Sequence, residues 1–406
     1  FIVHNLRMIR ARLRNNGWVL AELFLVFIIL WYVIDFLISS FICTSEPKGY
    51  DTHHVYHVSI SVNPKMAGNE DGWEDNYLYA LKLIKEYPGV ESVCYYSGTV
   101  PYEDGGEIIQ SYTVDSTRAI TAYIRYVSKD FFDVFRVDVP NVDLSYWDVA
   151  SYPVPAVVSK DLADSIFMET PRLGQAFADY YVPEKKYTVA GVAAPTKLTE
   201  YDRYSPLIYV PVEKWMLSLP YWVPIVAIRV SPEVEEGFAD RFMKDMRRRL
   251  DIGALYLSQI RSNDEVKAIY DTQINNYIRS AYAIISFFVF NVFLSIMGTF
   301  WFRTRRRRSE IGLRMAMGAS KKSIGSELCG EGICLLVLAV IPALIVCFNM
   351  YWADLTVNML SDATPARFLS GIAITFSLLA AMILISIWYP AYQAMKIEPA
   401  ETLHEE

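Results

Sequence analysis

Few residues of this chain are spaced for covalent chemistry. His53, His54 and His57 form its one histidine cluster, and His53 and His57 stand four apart, a spacing that suits two metal ligands on a helix. The surrounding pattern reads as loop and strand, no cysteine is near, and Asp51 is the only close carboxylate. An exposed strand edge is therefore expected there, and no metal site. No G-x-S-x-G elbow and no G-x-x-x-x-G-K-[ST] loop occurs, so neither a serine nucleophile nor a phosphate cradle is expected, and the chain reads as no enzyme. What remains are charges in apolar surroundings. Glu22 and Asp35 fall in or near one apolar run; Glu22 can reach an interface, whereas Asp35 lies deeper. Carboxylates at such depth are expensive and functional by default. Asp35 is thus a weak candidate for a proton or substrate role, against plainer readings as a protonated group or one facing a wet seam between helices.

The densest charge lies in 303–324. Arg303, Arg305, Arg306, Arg307, Arg308 and Arg314 come early, and Lys321 and Lys322 close the segment. Between them a short helix is expected. Ser309 is placed to cap it through its hydroxyl, and Glu310 sits near the positive end of the helix dipole. Gly318 can take the left-handed conformation that ends a helix, and Ser320 can cap the next one. Ile311, Leu313, Met315 and Met317 give this helix more apolar surface than a solvated loop needs. Nothing in its own chain is expected to cover them, so the helix must dock on a partner.

The elements that carry this segment follow from hydropathy. The chain has 406 residues and is 53% hydrophobic, with the apolar residues gathered near 18–42, 280–302, 328–352 and 368–390. Each run is long enough to supply the ~20 residues that cross a bilayer. Arg7, Arg10, Arg12 and Arg14 precede the first run, the basic segment follows the second, and the loop 353–367 has only Arg367 as a basic residue. The positive-inside rule then places the N-terminus and the basic loop inside and the large insertion outside. Residues 44–278 carry 23 Lys or Arg against 34 Asp or Glu, a formal charge of −11, which argues against nucleic acid. Cys329, Cys334 and Cys347 lie in the third run, and nothing in the spacing demands that Cys43 and Cys94 pair.

The fold class expected is an α+β membrane protein with four transmembrane helices and a large periplasmic α/β domain between helices 1 and 2. Along the chain this gives an amphipathic helix over 1–17, helix 1 over 18–42, the domain over 43–278 and helix 2 over 279–302. The basic segment over 303–325, helix 3 over 326–352, a loop over 353–367, helix 4 over 368–390 and a tail over 391–406 follow. Within the domain, strand–helix–strand patterns over 55–96 and again over 225–260 predict two β-α-β units, the second with a helix over 233–250, and a mostly β insertion over about 138–222. A helix continues from 262 into helix 2. Asn291 and Ser295, four apart, are expected to bond between helices, and Pro342 to kink helix 3.

The run Ser309-Glu310-Ile311-Gly312-Leu313-Arg314-Met315-Ala316-Met317-Gly318-Ala319-Ser320 resembles the E-I-G-x-R-x-A-x-G-A signature of FtsX/MacB-type ABC transporter permeases. Looser likenesses to the MacB-type external domain occur at 87–93, 127–135, 187–192 and 206–211. Pro390, Ala391, Ala394, Pro399 and Leu403 match that family's closing motif P-A-x-x-A-x-x-x-x-P-x-x-x-L, expected at the inner face beside the ATPase. The resemblance implies that the short helix couples to a separate ATPase through Arg308, Ser309, Glu310, Ile311, Gly312, Leu313, Arg314, Met315, Met317 and Gly318. ATP and Mg would be bound by that partner. It also implies a second permease, identical or not, membrane lipids as surroundings and a bacterial inner membrane as location. Four mostly apolar helices make no polar channel, which favours work on substrates outside. Export of peptides or drugs through a periplasmic adaptor and an outer-membrane duct is the first reading. Lipoprotein extraction from the inner membrane and FtsX-like activation of a cell-wall hydrolase are the alternatives.

Overall fold

The computed structural model describes residues 13–63, 72–98, 102, 108–115, 118–147, 152–167, 173–217, 223–356 and 360–394. The expected amphipathic helix over 1–17 lies mostly outside them. In chain order the main elements are α1 (Leu13–Ser45), β1 (Val55–Val62), α2 (Trp73–Lys85), β2 (Val90–Ser97), β3 (Ile109–Thr113), β4 (Ile120–Val127), β5 (Val154–Ser159), α3 (Lys160–Phe167), β6 (Ala176–Asp179), β7 (Lys186–Ala193), β8 (Leu207–Pro211), β9 (Ile225–Val230), α4 (Phe238–Met246) and β10 (Leu255–Ser262). They end with α5 (Asn263–Arg306), α6 (Arg308–Ala316), α7 (Lys321–Trp352) and α8 (Pro365–Ala394). Two compact units result, one of Glu46–Asn275 and one of the chain before and after it.

In the membrane unit, α1, α5, α7 and α8 are long and apolar enough to span a bilayer. Leu23, Phe27, Leu30, Trp31 and Ile34 recur at helical spacing on α1 and pack with Val292, Ile296 and Phe300 of α5, Leu335 and Ala339 of α7, and Leu379 and Ile383 of α8. Gly332 is required at the closest approach: a Cβ there would meet Ile387 Cδ1 at 2.7 Å and Ile383 Cγ2 at 2.8 Å. The outer faces are apolar too, with Ile341, Ile345, Ile374 and Ile385 exposed. A helix apolar on both faces suits lipid on one side and protein on the other. Pro342 lies inside α7 without ending it.

The domain Glu46–Asn275 is one ten-stranded sheet in the order β10-β1-β9-β2-β4-β3-β6-β7-β5-β8. The two β-α-β units interleave rather than stand apart. Strand β9 pairs antiparallel with both β1 and β2, and β1 with β10. This is the split β-α-β arrangement of ferredoxin-like sheets. Alternate residues Val226, Ile228 and Val230 face α2 and α4, where Tyr77, Leu81, Ile84, Phe238, Phe242 and Met246 cover them. The helix expected over 233–250 is shorter. A 3-10 turn at Pro232–Val234 precedes α4, and Gly237, at φ 63°, separates the two.

Beyond β2 the sheet curls on itself. Strand β4 pairs parallel with β8 as well as antiparallel with β3, so β4-β3-β6-β7-β5-β8 closes into a ring. Tyr112, Ile124, Tyr126, Phe177, Tyr187 and Ile208 belong to one core of this ring. The insertion therefore starts ahead of the expected 138, because β3 and β4 are needed to close it.

Two polar knots order this domain. His57 is 2% exposed, with Tyr96 Oη 3.0 Å from Nδ1 and Asn263 Oδ1 3.0 Å from Nε2. That replaces the exposed edge expected for it. His54 pairs instead with Glu235 at 2.5 Å, and the His53 amide donates to Asp51. Among the described residues no group of His, Cys, Asp or Glu could hold a metal ion. None of the five cysteines is in a disulfide. Glu200 receives Lys48 at 2.7 Å, Lys267 at 2.9 Å and the Tyr102 hydroxyl at 2.5 Å. Burial works against its charge, yet these donors hold the carboxyl down at about 2. The stabilisation is complete above its unfolded value of 4.5 and is lost as pH falls from there toward about 2. Glu200→Gln should therefore cost about 2–3 kcal/mol at neutral pH, and the gap to the parent should close in acid. Denaturant titrations of the two proteins across that range check this.

Candidate functional site

The basic segment forms α6, set between two long helices. Helix α5 runs to Arg306 and α6 begins at Arg308, so Arg307 alone makes the turn, at φ −100° and ψ 8°. The capping position is thus Arg307, with no side-chain cap, rather than Ser309. A capping serine needs an extended backbone, and the unbroken helix ahead leaves no residue for one. The side chains of Arg308 and Ser309 lie outside the described residues. Glu310 occupies the first turn, as expected.

The other end of α6 is a Schellman stop. Gly318, at φ 97°, donates its N–H to the Met315 carbonyl at 3.0 Å, and Ala319 donates to the Arg314 carbonyl at 3.0 Å. Ser320 then takes an extended conformation, and its hydroxyl accepts the Ser323 N–H at 3.2 Å, starting α7.

What holds α6 in place is a set of ion pairs that spacing did not disclose. Glu327 and Glu331, four apart on α7, receive arginines from three neighbouring positions. Arg303 Nη2 and Arg307 Nη1 each lie 2.5 Å from a Glu331 oxygen. Arg314 bridges Glu327 at 2.6 Å and Glu310 at 2.8 Å. The end of α5, the turn and α6 are thereby pinned to the start of α7. The only advance signal was a run of six arginines ahead of two glutamates on the next helix.

The apolar set divides in two. Ile311 is 4% exposed and packs with Ile324, Leu328, Met315 and Ala319, and Gly312 is buried. Its own chain covers Ile311, contrary to expectation, because the arginine pairs draw that face of α6 onto α7. Leu313 and Met317, also four apart, are 54% and 72% exposed. They form an apolar face with nothing over it among the described residues. In the tail, Pro390, Ala391 and Ala394 fall in the last turns of α8 with side chains outside the described residues, as are Pro399 and Leu403 altogether.

Asp35 is not a free carboxylate. It is 3% exposed, as is Arg367 of the first turn of α8. Arg367 Nε donates to Asp35 Oδ1 at 2.9 Å, Nη2 donates to Oδ2, and Nη1 donates to the Ser361 carbonyl at 2.8 Å. Asp35 thus faces Arg367 rather than a wet seam between helices. Its partner stands 332 residues away, beyond the reach of any local pattern. Glu22 likewise accepts from Ser295 at 2.7 Å and Thr299 at 3.0 Å, whereas Asn291 bonds back to Phe287 of its own helix.

A chain with four bilayer-length helices, a large domain after the first of them and a braced short helix between two others is a multi-span membrane protein. Two family models match it. The MacB-like periplasmic core domain covers residues 39–242, and the FtsX-like permease C-terminal domain covers residues 282–399. The chain belongs to the FtsX/MacB-type ABC transporter permeases. It is 25% identical over 296 residues to the macrolide export ATP-binding/permease protein MacB 1/2 of Paracoccus denitrificans, over 70% of this chain and 42% of that one. The chain thus spans less than half the length of that relative. The periplasmic region of MacB from Actinobacillus actinomycetemcomitans matches 57% of this chain and 98% of its own length, at 13% identity and a TM-score of 0.36. The extracellular domain of the ABC-type transporter YknZ from Gram-positive bacteria matches 50% of this chain and all of its own, at 12% identity and a TM-score of 0.33.

Two predictions follow from these pairs. Glu331→Gln should speed amide exchange across α6 about tenfold while leaving the middle of α7 unchanged, as read by hydrogen-exchange mass spectrometry. Arg367→Met should destabilise the membrane unit by about 3–5 kcal/mol by stranding Asp35, and adding Asp35→Leu should recover most of it in thermal unfolding.

Proposed function

We propose that this chain is the permease subunit of an ABC-type mechanotransmission complex that exports peptides or drugs. The observation that carries the reading is α6: a helix fixed by ion pairs on one side, with Leu313 and Met317 exposed on the other. An ABC ATPase, which these 406 residues do not contain, binds ATP and Mg and takes that face in a groove. Arg308, Ser309, Glu310 and Arg314 set its register. Closure of the ATPases moves α6, and with it α5 and α7, so that ATP hydrolysis drives movements of the periplasmic domains. Two permeases, identical or not, work with two ATPases in a bacterial inner membrane. Export is favoured over lipoprotein extraction or hydrolase activation because the relative that aligns over 70% of this chain is named for macrolide export. A periplasmic adaptor and an outer-membrane duct would complete the path, and the tail from Pro390 would lie against the inner face beside the ATPase.

Reconstitution with the ATPase tests this. Leu313→Ser with Met317→Ser should weaken ATPase binding about tenfold to a hundredfold, since exposed apolar anchors contribute 1 kcal/mol or more each. Gly318→Val should leave the ATPase bound but break the link between turnover and transport, because a β-branched residue resists the positive φ at that position. Wild-type affinity in the first variant would sink the docking face, and coupled transport in the second would sink the elbow.

A further inference from the structure

Closure of the ring removes one end of the sheet, which leaves β10 as its open edge among the described residues. An edge strand offers a row of unpaired N–H and C=O groups and is normally guarded by proline, bulges, charge or a covering segment. Strand β10 contains no proline; its register shifts once, at Ser258, and ahead of that bulge its exposed face carries Tyr256 beside the regular pairs Leu255–Val62, Tyr256–Ser61 and Leu257–Ile60. Beside its first half lies an open groove of about 840 Å3, lined by Asn63, Arg247, Arg248, Asp251, Tyr256 and Ser258 among others. Gly253 and Ala254 line it too. Arg247, Arg248 and Arg249 are exposed, and none is in an ion pair among the described residues. That is unusual for a domain whose residues 44–278 carry a formal charge of −11. Asp251 offsets one charge, so the groove stays basic.

We propose that this groove is a docking site in which an extended, acidic segment of another protein adds to β10 as a further strand. Backbone pairing along the edge would supply affinity, and Arg247 and Arg248 would select carboxylates and reject basic strands. A two-fold pairing of β10 with a second copy is opposed. It would bring Arg261, on the strand itself, toward Arg247 and Arg248 of the other chain. The inference rests on the fold of Glu46–Asn275 and not on the ATPase reading, so each can fail without the other.

The test uses the full chain in detergent and two fluorescein-labelled peptides, one alternating glutamate with valine and one alternating lysine with valine. The glutamate peptide should bind saturably, weaken with salt and slow amide exchange within Leu255–Ser258. Arg247→Glu with Arg248→Glu should lower its affinity about tenfold at an unchanged melting temperature, and the lysine pair at those positions should keep it. The comparison of the two peptides on the parent protein stands even if a variant does not fold. Equal binding of both peptides, or unchanged exchange in Leu255–Ser258, would overturn the proposal. So would a dimer in which those amides already exchange slowly without peptide, since a second copy would then be the occupant.

Discussion

A buried carboxylate must be paired, and this constraint sets the arrangement of the membrane unit. Taking one ion from water into a medium of low dielectric costs several kcal/mol even after relaxation, and only a close counter-charge with full hydrogen bonding returns it. Asp35 meets it with a two-pronged arginine whose remaining donor reaches the Ser361 carbonyl. Glu331 meets it with two arginines at once. Apolar packing alone would let α1, α7 and α8 slide past one another, since their outer faces are nearly as apolar as their inner ones. Lipid gives no hydrophobic preference for one helix neighbour over another. The ion pairs choose: Asp35 to Arg367 sets α1 against the start of α8, and Glu331 to Arg303 and Arg307 sets the end of α5 against the start of α7.

The same constraint fixes the place of a short charged helix. A helix of nine residues is marginal in water by itself. Here α6 is ended by a Schellman turn and pinned by Arg314 to Glu327, so its position is inherited from α7 rather than from its own propensity. Load applied to Leu313 or Met317 is therefore delivered to two long helices instead of being absorbed by a loop.

What could be read in advance divides along the same line. The four apolar runs, the strand at Val55–Val62 and the strand at Ile225–Val230 were legible, since period and hydropathy are local quantities. So were the glycine stop at Gly318 and the serine cap at Ser320, which depend on one residue's backbone freedom or one hydroxyl. The interleaving of β9 between β1 and β2 and the closure of β4 on β8 were not, because strands distant in sequence pair through backbone atoms that every residue shares. His57 misled for a related reason. Its neighbours look like an exposed edge, yet its partners Tyr96 and Asn263 come from elsewhere in the chain. Ser309 misled because a helix start was inferred without knowing that the preceding helix would run on to Arg306.

The division of the apolar residues of α6 bears on how strongly it can grip a partner. Had Ile311, Leu313, Met315 and Met317 all faced outward, their burial would have given roughly 6–12 kcal/mol, enough for a long-lived complex. With Ile311 and Met315 turned onto α7, Leu313 and Met317 remain, for roughly 3–6 kcal/mol before the entropy of association is subtracted. Net of that cost, the two side chains by themselves hold a partner no more tightly than about the millimolar range. Arg305 and Arg306 are exposed nearby at the end of α5. A contact built this way is weak per site and becomes lasting only when two are made at once, since linking sites multiplies their affinities. A pair of permeases presenting two such helices to a pair of ATPases would hold firmly as an assembly, yet each single contact could shift as the ATPases open and close.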